Sequence, residues 1–340
     1  MSLGARAGRP ARPAGPAQPG PPPVRMATRV GSVEMRSPVL TASGTAGHGA
    51  ELSRYFDLSA LGAVVVKSLS SQPWAGNPAP RLWPLDTGAG MLNSVGLQNR
   101  GVAHWLAEEL PPLARTGASV VASIWGFSPE AYRDAAAAVA EAVRRSGPGS
   151  PGRSIVAVEA NISCPNVEDR RRMFAHSPEG VSAAVGAAAA GLDGVVPLWA
   201  KLSPNVTDLP ALAGVARDSG AETVTLVNTV MGMAIDPATG RFRLGAGGGG
   251  LSGPAVHPVA VRAVYECRQA WPDLPIVGVG GVGAGTDAAE LLAAGADAVQ
   301  VGTATFADPR APHRVLQELA AWMHQTGIES IDALKGKTQP

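Results

Sequence analysis

Ser154-Ile155-Val156-Ala157-Val158 is followed, two residues later, by Asn161-Ile162-Ser163-Cys164-Pro165-Asn166, and the order of these two stretches decides how the chain folds. The first is a short apolar and β-branched run, which predicts a buried strand. The second then stands just past the C-terminal end of that strand, the edge of a parallel α/β sheet where ligands sit. It sets a thiol between two carboxamides. A thiol there can act as base or nucleophile, and carboxamides offer paired donors and acceptors to a flat, amide-rich ligand. A free cysteine more often packs as a small apolar residue. Polar neighbours and Pro165 do not suit a packed core slot, so Cys164 is read as functional.

Working outward, the same strand-then-helix alternation covers most of the chain. Strand-like runs fall at Val39 to Ala42, Ala63 to Lys67, Ser119 to Ile124, Ser154 to Val158, Pro197 to Lys201, Thr223 to Val227, Pro275 to Val279 and Ala298 to Val301. Helical patterns lie between them at Pro129 to Arg145, Pro178 to Ala190, Leu209 to Asp218, Pro254 to Trp271 and Thr286 to Ala294, punctuated by Pro and Gly. Continuous apolar strands alternating with helices imply a parallel sheet covered on both faces. Eight such units predict a closed (β/α)8 TIM barrel, preceded by a short strand pair over Thr28 to Val33 and Met35. No fixed-period repeat is visible, which excludes a solenoid.

Residues 1–25 differ from everything after them. They are rich in Pro, Gly, Ala and Arg and carry no acidic residue, so a disordered tail is expected, with the barrel over 26–340. The tail lacks an apolar segment of the signal-peptide kind, and Met26 is an alternative start. No run is apolar enough to span a membrane, and a net charge of +1 points to neither nucleic acid nor a membrane surface. A cytoplasmic protein is expected. Two cysteines, Cys164 and Cys267, cannot hold an iron–sulfur cluster or a structural zinc alone, and the scattered histidines show no metal spacing.

Two glycine turns follow the seventh and eighth strands, at Gly278 to Gly283 and at Gly302-Thr303. Loops at these two barrel positions often hold phosphate through backbone N–H groups. Leu251-Ser252-Gly253-Pro254 opens a helix beside them, whereas Gly245 to Gly250 reads as a flexible hinge. At other strand ends stand Lys67, Lys201 and Asn228-Thr229, polar groups that must be paired or ligand-facing inside a barrel mouth. The Gly- and Asn-rich segment from Gly88 to Asn99 is expected to wrap a small ligand, with Asn93 among its contacts.

Taken together, Thr41 to Thr45, Gly76 to Arg81, Met91 to Asn99, Asn161 to Asn166, Ala200 to Leu202, Val227 to Thr229, Gly249 to Pro254 and the two glycine turns resemble the class 1 dihydroorotate dehydrogenases, and within them the class 1B catalytic subunit. The resemblance runs from about Met35 to about Pro309. It implies an FMN-binding barrel that oxidises (S)-dihydroorotate to orotate in de novo pyrimidine (UMP) biosynthesis. By position, it implies that Cys164 removes the C5 proton while hydride passes from C6 to FMN N5. It implies substrate contacts at Lys67, Asn93, Ser94, Val95, Gly96, Leu97, Asn161, Asn228 and Thr229. It implies FMN contacts at Ser43, Lys67, Ser68, Asn161, Lys201, Val227, Gly253, Gly280, Gly281, Gly302 and Thr303. Ser123 stands where the family usually places an FMN-binding Asn, and Val167 to Arg172, with Arg170, Arg171 and Arg172, replaces a glycine-containing lid.

The class 1B resemblance also implies a separate subunit carrying FAD and a 2Fe–2S cluster that delivers electrons to NAD, around a homodimer core. A class 1A fumarate-reducing homodimer is the other reading of the acceptor. Class 2 enzymes carry a membrane-docking helix that the proline-rich tail cannot form. A flavoenzyme of the dihydropyrimidine dehydrogenase kind, acting on another pyrimidine, and a non-redox phosphate-binding barrel are the rival functions.

Overall fold

The computed structural model describes residues 24–85, 88, 90–163 and 173–338. Eight parallel strands form one sheet: Val39–Thr41, Val64–Val65, Val120–Ile124, Ile155–Asn161, Leu198–Lys201, Thr223–Leu226, Ile276–Val279 and Ala298–Val301. Each pairs with its neighbour in chain order, and the eighth pairs with the first through Val299–Val39 and Val301–Thr41. A bridge between Leu40 and Ala63, with Gly62 N–H donating to Val39 O at 2.9 Å, joins first strand to second and closes the cylinder. This is the (β/α)8 barrel that the sequence predicts. The fourth strand runs on to Asn161, three residues beyond the expected end at Val158, so the Asn161 side chain is carried by rigid strand rather than by a loop.

Between strands, the chain turns helical where apolar residues recur at helical spacing. Helix Pro129–Arg144 buries Tyr132, Ala135, Ala136, Val139 and Ala140, one stripe of a 3.6-residue period. Its Ser128 cap accepts the Ala131 N–H, and Ser177 and Asp208 cap helices Pro178–Leu192 and Leu209–Asp218 in the same way. The main core lies between this helical shell and the outer face of the sheet.

Inside the cylinder, side chains arrive in layers from alternate strands. The lowest layers hold Leu40, Ala63, Val121, Ala157, Trp199, Val277 and Ala298. The hairpin Thr28–Val30 with Val33–Met35 plugs this end, adding Val30, Val33 and Met35. Arg25, expected in the tail, instead pairs with the C-terminal segment: its N–H donates to Glu329 O at 2.9 Å and its carbonyl accepts from Ile331. Residues 1–23 lie outside the described residues.

At the opposite end a four-stranded antiparallel sheet covers the mouth, in the order Val230–Met233, Gly248–Ser252, Met91–Asn93, Leu82–Pro84. It revises two expectations. The Gly245 to Gly250 stretch is no free hinge, because Gly248–Ser252 is a central strand paired on both sides. Its glycines are there for room: a Cβ on Gly250 would lie 2.0 Å from Thr229 Oγ1. The Gly88 to Asn99 segment likewise contains a strand, and its remaining turns are tied to Trp74 and Asn77.

Candidate active site

Between the strand ends and the small sheet lies a cleft. Lys67, Asn161, Lys201, Val227, Asn228 and Thr229 line it from the barrel strands and their ends. Ser43 and Ser68 enter from the turns after the first two strands, and Asn93, Val95, Gly96 and Leu97 from the covering sheet and its loop. Gly253, Gly280, Gly281, Gly302 and Thr303 line the far end, and Leu82, Met91 and Leu251 add an apolar wall.

Lys201 forms part of the floor. It ends the fifth strand, paired in register with Asn161 on one side and Thr225 on the other, and is 4% exposed. Nζ donates to Gln300 Oε1 at 3.4 Å. Burial pushes the ammonium below the ordinary lysine range, and the Glu159 carboxylate acts in the opposite sense. Glu159 sits one layer lower, with Oε2 accepting from Gln300 Nε2 at 2.7 Å and Thr225 Oγ1 at 2.9 Å.

Beside the lysine runs a web of hydroxyls and carboxamides. Ser43, Ser68 and Ser123 close a three-membered ring of hydrogen bonds at 2.9–3.1 Å. Asn161 Nδ2 donates to Ser68 Oγ at 3.1 Å, while its Oδ1 accepts from Ser163 Oγ and from Asn228 Nδ2. Tyr132 OH donates to the Asn161 carbonyl at 2.9 Å, so a helix on the outside of the barrel pins this strand end. The orientation of the Asn161 amide is therefore set before any ligand arrives.

At the glycine end, Gly253 leads through Pro254–Val256 into helix His257–Ala270. Gly281 has φ +67°, and a Cβ there would sit 2.6 Å from His257 Cβ and 2.9 Å from its backbone N. Only glycine fits this crossing. His257 Nδ1 lies 2.8 Å from Gly280 O, which fixes the turn from below. Near the mouth, Lys67 N–H donates to Gly47 O, and the adjacent His48 is pushed down to about 4 by burial first and the Lys67 ammonium second.

Two expected contacts are placed elsewhere. Ser94, just past the strand Met91–Asn93, is fully buried, does not line the cleft, and its Oγ has no hydrogen-bond partner among the described residues. Ser123 is also fully buried, behind Ser43 and Ser68, and its short side chain supports them rather than reaching the cleft. Cys164 and the Val167 to Arg172 stretch lie outside the described residues. Asn205 was not singled out in the sequence. Its Nδ2 donates to Thr229 O at 3.0 Å and its Oδ1 accepts the Met231 N–H, tying the cleft wall to the fifth strand end. The signal was available: Ser203-Pro204-Asn205 repeats, one strand later, the polar pattern of Ser163 to Asn166. Asn77 is a second such residue, donating to Ser94 O at 3.2 Å.

A protein-family model described as dihydroorotate dehydrogenase matches residues 25–323 of this chain. The chain belongs to the dihydroorotate dehydrogenase family. Members of this family are oxidoreductases, and this chain is a class 1 member similar to the class 1B catalytic subunits. A Solibacter usitatus protein, provisionally named dihydroorotate dehydrogenase A (fumarate), is 44% identical over 312 residues, 92% of this chain and 98% of that protein. The Pelobacter propionicus protein named dihydroorotate dehydrogenase B (NAD(+)), catalytic subunit, is 40% identical over 311 residues, 92% and 97% of the two chains. A solved structure of the Eimeria tenella dihydroorotate dehydrogenase in complex with ferulenol superposes with a TM-score of 0.75 over 93% of this chain and 89% of that one. At 21% identity that likeness speaks for the dihydroorotate dehydrogenase barrel alone. Among the described residues no helix is long and apolar enough to cross a membrane, and no group of three or more His, Cys, Asp or Glu could hold a metal ion.

Proposed function

We propose that this chain is the FMN-binding catalytic subunit that oxidises (S)-dihydroorotate to orotate in de novo pyrimidine (UMP) biosynthesis in the cytoplasm. The observation that carries the reading is one cleft bounded by glycine turns at one end, a buried ammonium in its floor and a pre-oriented set of carboxamides beside it. The residues fit a flavin mononucleotide. Gly281, Gly302 and Thr303 line one end of the cleft, and their backbone N–H groups would hold the phosphate. The apolar wall of Met91 and Leu251 suits a flat ring, and Lys201 suits its electron-rich edge.

When bound, FMN supplies a hydride acceptor at N5. The rest of the chemistry falls to this chain. Lys67 meets the carboxylate of the substrate as a charge-assisted pair. Asn93, Asn161, Asn228 and Thr229 hold the ring amides, whose N–H and C=O edges carboxamides and hydroxyls match without adding charge. Val95, Gly96 and Leu97 line the wall and exclude water. Cys164, three residues after Asn161 in the sequence, takes the C5 proton; a thiol of ordinary pKa about 8.5 does this better when neighbouring donors stabilise the thiolate. Lys201 offsets negative charge that builds on the ring it faces. Ser43, Ser68, Val227 and Gly253 complete the cofactor contacts, with Ser123 behind them.

Electrons leave through a partner subunit carrying FAD and a 2Fe–2S cluster and pass to NAD, around a homodimer of this chain. Support comes from relatives named NAD-dependent catalytic subunits and from a chain with two cysteines, too few for a cluster of its own. Anaerobic titration of the purified chain with dihydroorotate tests the reading: the flavin absorbance bleaches with dihydroorotate and not with dihydrouracil. Bleaching by dihydrouracil alone favours a dihydropyrimidine dehydrogenase-like activity, and a protein that binds no flavin refutes both.

A further inference from the structure

Glu159 lies at the centre of the barrel, 0% exposed, on the fourth strand. A carboxylate in such a place costs several kcal/mol unless hydrogen bonds and an opposite charge compensate it. Its hydrogen bonds are few. Oε2 accepts from Thr225 Oγ1 and Gln300 Nε2, while Oε1 has no partner among the described residues. Gln300 shows what completes the compensation. Its NH2 points down to Glu159, and its carbonyl oxygen points to Lys201 Nζ. A carboxamide aligned this way bridges an anion to a cation.

Resting on the reading that the cleft holds FMN, we propose that Glu159 is a positioning residue that keeps Lys201 in its ammonium form beneath the flavin, so that flavin affinity does not fall as pH rises. Neutral donors alone would leave both groups short of partners, since among the described residues Lys201 donates to the Gln300 oxygen alone. Among the described residues, the other side chains paired beside Lys201 in the sheet are uncharged: Asn161 from the fourth strand and Thr225 from the sixth. Among the described residues lining the cleft, Lys67, two residues past the second strand, is the other charge, and Cys164 is the other titrating group proposed for the site. Burial alone drives Lys201 towards the neutral amine, and a neutral amine loses the electrostatic attraction to the ring edge.

The test is titration of FMN into the apoprotein, followed by fluorescence quenching from pH 7 to pH 9, above the second ionisation of the phosphate. Wild type should keep its affinity nearly constant over this window. Glu159→Gln, which retains size and an acceptor but not charge, should lose at least about tenfold between pH 7 and pH 9, the effect of about one pKa unit. Adding Lys201→Met should abolish that pH step, whereas Lys67 or Cys164 as its source would leave it in place and overturn the proposal. A flat profile in Glu159→Gln also overturns it. Should Glu159→Gln fail to fold, the wild-type profile decides by itself, since a tenfold loss there by pH 9 means that Lys201 is not held as ammonium. Wild type that binds no FMN at any pH refutes the functional reading instead.

Discussion

Cys164 and Cys267 show how differently one residue type can be used. Cys267, in helix His257–Ala270, is fully buried, and burial pushes its thiol up to about 12. It should stay unmodified when the native protein meets iodoacetamide at pH 8 and react once the chain is unfolded, as peptide mass spectrometry would show. Cys164 carries the proposed proton transfer. Cys164→Ser should retain FMN yet slow flavin reduction by at least about a hundredfold at neutral pH, within the range that a general base contributes; unchanged stopped-flow rates would remove it from that role. Ser94 makes the converse point. Its hydroxyl is buried without a partner, so Ser94→Ala should leave the KM for dihydroorotate unchanged and cost no stability, or raise it by about 1 kcal/mol in thermal unfolding. A tenfold rise in KM would return it to the substrate site.

Among the elements, the eight barrel strands were legible because each is a run of buried, mostly apolar residues bounded by turns, and a parallel sheet buries both faces. The glycine turns after the seventh and eighth strands were legible for a different reason, since two clusters at two expected places are hard to explain as ordinary turns. Gly281→Ala tests that element. The substitution forces φ +67° on a side chain whose Cβ meets His257, which costs about 1–2 kcal/mol in strain. It should lower the melting temperature modestly and weaken FMN binding at least about tenfold, because the N–H groups proposed to hold the phosphate move with the turn. The covering sheet could not be read in the same way. Its Met91–Asn93 and Leu82–Pro84 strands are three residues long and its Gly248–Ser252 strand begins with three glycines, so neither periodicity nor β-propensity marks them. Pairing between segments more than a hundred and fifty residues apart, as in Asn93 Nδ2 to Gly250 O at 3.1 Å, is what makes them strands.

For the molecule as a whole, acid sensitivity should carry the mark of the cleft. His48 is half-buried beside Lys67, and its folded pKa is depressed from 6.5 to about 4. Below pH 6.5 the unfolded chain takes up a proton that the native chain refuses, so stability falls as pH drops from 6.5 towards 4 and is level above 6.5. Allowing for solvent screening, the loss is about 2 kcal/mol. His48→Gln should shrink this slope in denaturant midpoints measured from pH 7 to pH 4; an unchanged slope would assign it to other groups.

The barrel, its order of strands and the family were all present in the linear chain, because local pattern and a few dense motifs carry that information. Which side chains share the cleft was not. Ser94 turns away, Ser123 drops behind two other serines, Asn205 joins the wall, and Glu159 and Gln300 meet Lys201 from strands 42 and 99 residues away. Those outcomes depend on closure of the cylinder, where layers from alternate strands bring distant residues to one level, and no local preference encodes which ones meet.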